Sequence, residues 1–318
     1  MTFMTYLAQQ TEVELHDNLD TIRRCFDGLL AEFPLSYGHW KRYADHEVRH
    51  GNLERATEVY ERGVKAAAYC VELWSFYAAH AVTHWSAQPD KVRAVFERAV
   101  DQVGSDYLAD KLWDRYIAFE TPRADASATP DHSAVGALFA RVLRRPLKAL
   151  DSYWTRLGQL ASTWSSNELL DGAAEAALQA ELEARGAAPQ PQPGAEGHDE
   201  GARKLRVLPL LEARYKLTRS EHAVRLALEA PLRRRHFHIK PLPAEELQRW
   251  GAYLDWAEAR GRSGTALEME VEAGSAEAVE AEEAEEAEAV EAEEAEAVAI
   301  FERCLVPCCR EAEVGLPG

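Results

Sequence analysis

"WKRYADHEVRHGNLERATEVYERGV", residues 40–64, decides how the chain is read, because it holds two helices and the turn between them. Trp40, Tyr43 and Glu47 stand at i, i+3 and i+7 and so line one helical face. Ala56 and Gly63 are small and let the second helix approach the first closely. Between them, Gly51 suits the left-handed position that ends a helix, and Asn52 is expected to cap the helix that follows. One such hairpin cannot bury its own aromatic face, so similar hairpins must stack against it.

The two halves recur. W-x-x-Y returns as "WSFYAAHA" (Trp74, Tyr77), "WDRYIAFE" (Trp113, Tyr116, Glu120) and "WGAYLDWAE" (Trp250, Tyr253). The partner half, "ATEVYERGV" around Tyr60, returns as "RAVFERAV" around Phe96, "GALFARVL" around Phe139 and "VAIFERCLV" around Phe301. Trp40 to Tyr60 is 20 residues, Trp74 to Phe96 is 22 and Trp113 to Phe139 is 26, with 14, 17 and 15 residues from each second aromatic to Trp74, Trp113 and Trp154. Two elements alternating at roughly 34 to 40 residues place the chain in the range of all-α helical-repeat solenoids. Phe26 in "IRRCFDGLL" and Met4 mark a degenerate earlier repeat. All these aromatic positions are assigned to structure.

The net charge of −18 comes mostly from one tract. Fourteen glutamates and no lysine or arginine lie between Glu268 and Glu296, which leaves −4 for everything else. The remainder has no broad basic footprint for nucleic acid. Five cysteines without a C-x-x-C pair suit a reducing compartment rather than a disulfide framework. The N-terminus lacks a basic start followed by an apolar run, and no stretch is apolar enough to span a membrane.

These features divide the chain into a repeat array over 1–184, a Pro/Gly/Ala-rich flexible linker over 185–202, and a long helix with a basic connector over 203–243. The long helix, or helix pair, is expected to break near Pro209. A further repeat over 244–306 starts near Pro243, is expected to stop at Gly261, and is interrupted by the Glu/Ala insertion at about 267–297. That insertion reads as disordered or as a fluctuating solvated helix, with a stable helix the competing reading. Residues 307–318 form a divergent tail.

Two sites invite chemistry. "HEVRH", 46–50, matches the zinc-hydrolase pattern H-E-x-x-H. Leu53 and Ala56 stand where the extended pattern needs glycine and a third histidine, and Glu47 is a recurring repeat position, so a helix end with exposed histidines is the better reading. "RRRHFHIKPL", 233–242, is the one dense basic cluster. Arg233, Arg234, Arg235, His236, Phe237, His238 and Lys240 are candidate RNA or partner contacts, against a reading in which the arginines end a helix in solvent and Phe237 and Ile239 pack inward. No nucleophile-elbow or phosphate-loop pattern occurs. No catalytic, cofactor-binding or metal residue is therefore assigned, and the chain is expected not to be an enzyme.

The paired patterns resemble HAT repeats. "FPLSYGHWKRYADHEVRHGNLERATEVYERGV", "DYLADKLWDRYIAFE" and "RRHFHIKPLPAEELQRWGAYLDWAEARG" followed by "FERCLV" together resemble the pre-mRNA-processing factor 39 family. The resemblance covers roughly residues 4–160 and 203–306. It implies about five HAT-type (TPR-like) hairpins, a nuclear location and a non-enzymatic scaffold associated with protein components of the U1 small nuclear ribonucleoprotein in 5′ splice-site recognition. RNA contact would be mostly indirect. Family members also dimerise through C-terminal repeats, an interface expected to be absent here, where "VPCCREAEVGLPG" stands in place of further repeats. The alternative is a scaffold of another RNA-processing complex that touches RNA through the basic connector.

Overall fold

The computed structural model describes residues 19–126, 130–190, 192, 194–195, 199–235, 240–271 and 297–304, with backbone alone for 261–271. Every regular element among them is helical. Helices run Leu19–Glu32 (α1), Tyr37–Arg49 (α2), Leu53–Ala66 (α3), Val71–His84 (α4), Pro89–Val103 (α5) and Asp110–Asp125 (α6). They continue as Ser133–Val142 (α7), Leu150–Leu160 (α8), Ser166–Leu169 (α9), Gly172–Ala184 (α10), Glu200–Glu229 (α11), Ala244–Val271 (α12) and residues 297–304 (α13). No described helix is long and apolar enough to cross a membrane. Packing divides the chain into two units, Met1–Lys91 with Ala230–Gly318, and Val92–Glu229.

In the first unit α2 and α3 form the expected hairpin. Gly51 takes φ +78°, and two bonds close the end of α2: Gly51 N to Val48 O (3.0 Å) and Asn52 N to Glu47 O (2.9 Å). This is the paired-bond helix ending that needs a left-handed residue. Asn52 occupies the cap position of α3 but makes no side-chain capping bond. Its side-chain N–H donates instead to the Glu47 carboxylate at 2.9 Å, a charge-assisted bond that orients the amide towards Glu47. A methyl added at Gly63 would lie 3.1 Å from Trp40 and from Leu73, so the small residue sets the helix spacing as its size implies.

The other hairpin of this unit joins α12 to α13. Trp250 and Tyr253 are fully buried, and the Arg303 guanidinium lies 5.4 Å from the Trp250 ring. The repeat therefore closes across the insertion, of which residues 272–296 lie outside the described set. Helix α12 does not stop at Gly261 but continues to Val271. A mid-helix glycine costs only about 1 kcal/mol, too little by itself to end a helix.

The second unit carries three further differences from expectation. After Phe139 the repeat position is filled by Leu150, with Tyr153 three residues on, both buried; Trp154 turns away and stacks on Tyr215 (4.9 Å, 9°). Helix α11 also runs unbroken through Pro209, held by buried Val207, Leu210 and Leu211 around the lost hydrogen bond. It begins at Glu200, within the segment expected to be linker, and Glu200 grips Ser166 through N–H and O–H bonds of 2.6 and 2.8 Å.

Side chains of α11 reach the carbonyls of several loops. Arg225 donates to Ser105 O (3.1 Å), Thr218 to Leu143 O (2.6 Å), Arg214 to Arg144 O (3.3 Å), Lys204 to Ala161 O (3.2 Å) and Arg203 to Leu170 O (3.1 Å). One helix thus donates hydrogen bonds to carbonyls of several loops.

Candidate functional site: the seams between hairpins

Three seams begin with a tryptophan whose indole N–H meets a loop carbonyl. Trp40 donates to Pro34 O (2.8 Å), Trp74 to Ala68 O (2.7 Å) and Trp113 to Gly104 O (2.9 Å). Burying such a ring contributes on the order of 2–3 kcal/mol, provided its N–H is paired. The tyrosine three residues on then lies flat against the second aromatic of the preceding hairpin. Phe26–Tyr43 (4.8 Å, 4°), Tyr60–Tyr77 (5.5 Å, 12°) and Phe96–Tyr116 (4.6 Å, 2°) are three instances.

After Tyr60 and Phe96 the next residue is acidic and faces the same seam. Tyr77 Oη donates to Glu61 (2.5 Å) and Tyr116 Oη to Glu97 (2.6 Å). Arg141, two residues past Phe139, reaches back to Glu97 through two bonds of 2.9 and 2.8 Å; Arg62, two past Tyr60, reaches Asp27 at 2.8 Å. The same arginines lie over the tryptophan rings, Arg62 over Trp40 and Arg141 over Trp113, each at 5.4 Å. Burial alone would raise the Glu97 carboxyl, but the Arg141 fork and the Tyr116 hydroxyl hold it below the usual range.

A second clamp crosses two of the seams from the other direction. Arg23, three residues before Phe26, grips Glu47 with Nε to Oε1 at 2.7 Å and Nη2 to Oε2 at 2.8 Å. Arg93, three before Phe96, grips Glu120 in the same way at 2.6 and 3.0 Å. In the intervening hairpin Thr57 and His80 meet at 2.9 Å, a weaker neutral contact. Desolvation pushes the Glu47 carboxyl up, yet Arg23 and the Asn52 amide outweigh it and hold the group low.

These clamps answer the H-E-x-x-H question. Both Glu47 oxygens accept hydrogen bonds from Arg23, and one also from Asn52, so the carboxylate is not placed to activate water. His46 is 5 % exposed, contrary to the expectation that both histidines face solvent, because it lies beside Phe26 in the seam. His50 is exposed and rests on His46 at 4.3 Å, its Nδ1 2.8 Å from the His46 carbonyl. Among the described residues no three His, Cys, Asp or Glu side chains gather as a metal-binding set.

Glu246, in the first turn of α12, organises the start of the basic connector. Its buried carboxylate accepts the backbone N–H groups of Arg233 (2.6 Å) and Arg234 (2.9 Å). Arg249 closes the turn with bonds to Glu246 and to Pro231 O. Arg233 and Lys240 are exposed and Arg234 and Arg235 half-buried, while His236, Phe237, His238 and Ile239 lie outside the described residues.

A family model described as PRP39 N-terminal HAT repeat matches residues 1–159. The chain belongs to that family. Among its relatives, Pre-mRNA-processing factor 39 of Danio rerio is 29 % identical over 95 % of this chain and 38 % of its own length. The Homo sapiens protein of the same name is 27 % identical over 96 % and 43 %, and that of Schizosaccharomyces pombe 28 % over 76 % and 40 %. The chain thus spans about two fifths of the relatives it matches. Its fold class is the all-α HAT/TPR-like helical-repeat solenoid.

Within the HAT frame, the aromatic positions were readable in the sequence, whereas Arg23, Arg93, Thr57, His80, Glu61, Glu97 and Arg141 were not. A signal existed: an arginine three before, an acid one after and an arginine two after the second aromatic recur in "RAVFER" and its kin. The partners lie 16 to 44 residues away, so only a fold pairs them.

Proposed function

We propose that the chain is a nuclear, non-enzymatic protein-interaction scaffold in pre-mRNA splicing. In this reading it associates with protein components of the U1 small nuclear ribonucleoprotein and acts in 5′ splice-site recognition. Membership of the HAT-repeat family, with relatives named pre-mRNA-processing factors, carries the reading. The seams support it: Glu47, Glu97 and Glu120 are engaged in holding hairpins together, and a rigid repeat array offers outer helix faces and loops to partners. Affinity purification of the whole chain from nuclear extract, with mass spectrometry, is the test. Recovery of U1 particle proteins is expected, and recovery of no splicing protein overturns the reading. A parallel sample lacking 267–297 reports whether the Glu/Ala tract takes part.

A second reading, direct RNA contact at the basic connector, is favoured by one observation: Glu246 fixes the backbone at 233–234 and leaves Arg233 exposed. It predicts salt-sensitive affinity for single-stranded RNA that falls when Arg233, Arg234 and Arg235 are neutralised together. Affinity unchanged by that triple substitution excludes the connector.

A further inference from the structure

Among the described residues, one guanidinium lies over Trp40, that of Arg62, and two lie over Trp113, those of Arg141 and Arg145 at 5.4 and 5.1 Å. The second cation on Trp113 is not a repeat feature. Glu32, Ala66 and Gln102 stand six residues after Phe26, Tyr60 and Phe96, where Arg145 stands after Phe139, so other seams close without a cation there.

The arginines around it are neutralised. Both Glu97 oxygens are held by Arg141, and the two Glu181 oxygens by Arg144 and Arg214. Arg145 differs: its Nη1 donates to the Arg141 carbonyl at 2.9 Å, its Nε is buried without a hydrogen bond, and no carboxylate pairs with it among the described residues. Nε and Nη2 form the side-on face with which Arg23 and Arg93 grip Glu47 and Glu120. On Arg145 that face has no partner among the described residues. Burial, and then the Arg141 and Arg144 charges, push its pKa down to about 10 against a weaker pull from Asp101 and Glu97. Lys148, three residues on in the α7–α8 loop, is exposed, and its ammonium makes no ion pair among the described residues. Arg145, these neighbours and Lys148 all lie in Val92–Glu229, and Arg145 is only half-buried.

A desolvated cation without a counter-charge costs the fold stability, and an incoming anion removes that cost. We infer that Arg145 receives the phosphate of a phosphorylated serine or threonine on a partner protein. A dianion at the tip of one side chain suits a single unmatched guanidinium with a second cation in the same loop. An RNA strand suits it less, because adjacent phosphates would meet the Asp101 and Glu97 carboxylates.

The inference goes beyond the scaffold reading and stands or falls separately from it. The thermal midpoint of the whole chain is measured in sodium phosphate at about 10 mM, well below the range where phosphate acts by exclusion, and in sodium chloride of equal ionic strength. Phosphate is expected to raise the midpoint by at least about 2 °C, and Arg145→Met to abolish the rise. In chloride the same variant should match or exceed the unaltered chain, because it removes a charge that nothing pairs. A lower midpoint there marks Arg145 as a helix-end cap and overturns the proposal, as does a phosphate response that is absent or survives the substitution. Arg145→Lys, which keeps the charge without the planar fork, should retain only part of the rise.

A peptide pool with phosphoserine fixed at its centre among random neighbours is then titrated against the chain by fluorescence anisotropy. Binding is expected to weaken at least roughly tenfold with serine in the central place, and equally with Arg145→Met. Binding that ignores the phosphate, or that Arg145→Met leaves intact, overturns the proposal. So does a loss of oligouridylate affinity in Arg145→Met, which would make the anion a nucleic-acid phosphate.

Discussion

Arg23 and Glu47 lie 24 residues apart in sequence and meet through two parallel hydrogen bonds, with the Glu47 side chain wholly removed from solvent. A carboxylate there is tolerable only because its partner is bidentate and Asn52 takes a further lone pair. Glu47→Ala is therefore expected to destabilise the first unit by about 1–3 kcal/mol, since it removes both bonds across the seam and leaves Arg23 only its Asp20 contact. The matching change at Glu120 should cost less, because Arg93 keeps 41 % of its side-chain exposure. Urea denaturation of both variants checks the order; equal losses would refute the solvent argument.

Gly63→Ala isolates spacing from helix propensity. Alanine favours the helix by about 1 kcal/mol, but its methyl would stand 3.1 Å from two Trp40 atoms and from Leu73. Overpacking of this kind costs about 1–3 kcal/mol, so a net loss in thermal midpoint is expected rather than a gain. Gly136→Ala should be worse, because the methyl would meet the Glu168 carbonyl at 1.8 Å. A raised midpoint in either variant contradicts the close-approach account.

His132 should oppose the pH response of His39, His80 and His222, whose pKa values burial lowers. Its two ring nitrogens lie 2.9 Å from Asp125 and from Glu168, and those bonds raise its pKa above 6.5. A group raised on folding stabilises fully below its unfolded pKa, and that stabilisation fades as pH climbs through the folded value. The His132 contribution to the unfolding midpoint is thus expected to fall as pH rises above 6.5, read as the difference between the profiles of the unaltered chain and His132→Gln. Glu168 works in the opposite sense: burial raises it, but Ser165 and His132 hold it down to about 2. Its contribution is present above 4.5 and is lost as pH drops towards about 2.

Zinc offers a direct check on "HEVRH". Equimolar zinc is expected to leave the thermal midpoint within about 1 °C, and His50→Ala, at an exposed helix end, should change stability by less than about 0.5 kcal/mol. Stoichiometric zinc by elemental analysis, lost in His50→Ala, would restore the metallopeptidase reading.

The aromatic periodicity was legible because tryptophan and tyrosine at helical spacing have few other uses. Leu150 escaped it: a leucine in the tryptophan place looks like any core residue, and nearby Trp154 drew the register four residues off. The ends of α11 and α12 were misjudged for a related reason, since proline and glycine weigh heavily in local rules while packing on flanking residues decides the outcome. Charge pairs such as Arg93–Glu120 depend on which hairpin faces which, information that no short window holds.

The bonds from α11 to the Ser105, Leu143, Arg144, Ala161 and Leu170 carbonyls have a mechanical consequence. Stacked hairpins behave as a soft spring, because each seam can roll slightly against the next. A stiff rod fastened to loops along the stack removes that compliance, so Val92–Glu229 should respond to load as a strut, yielding only when the fastenings tear.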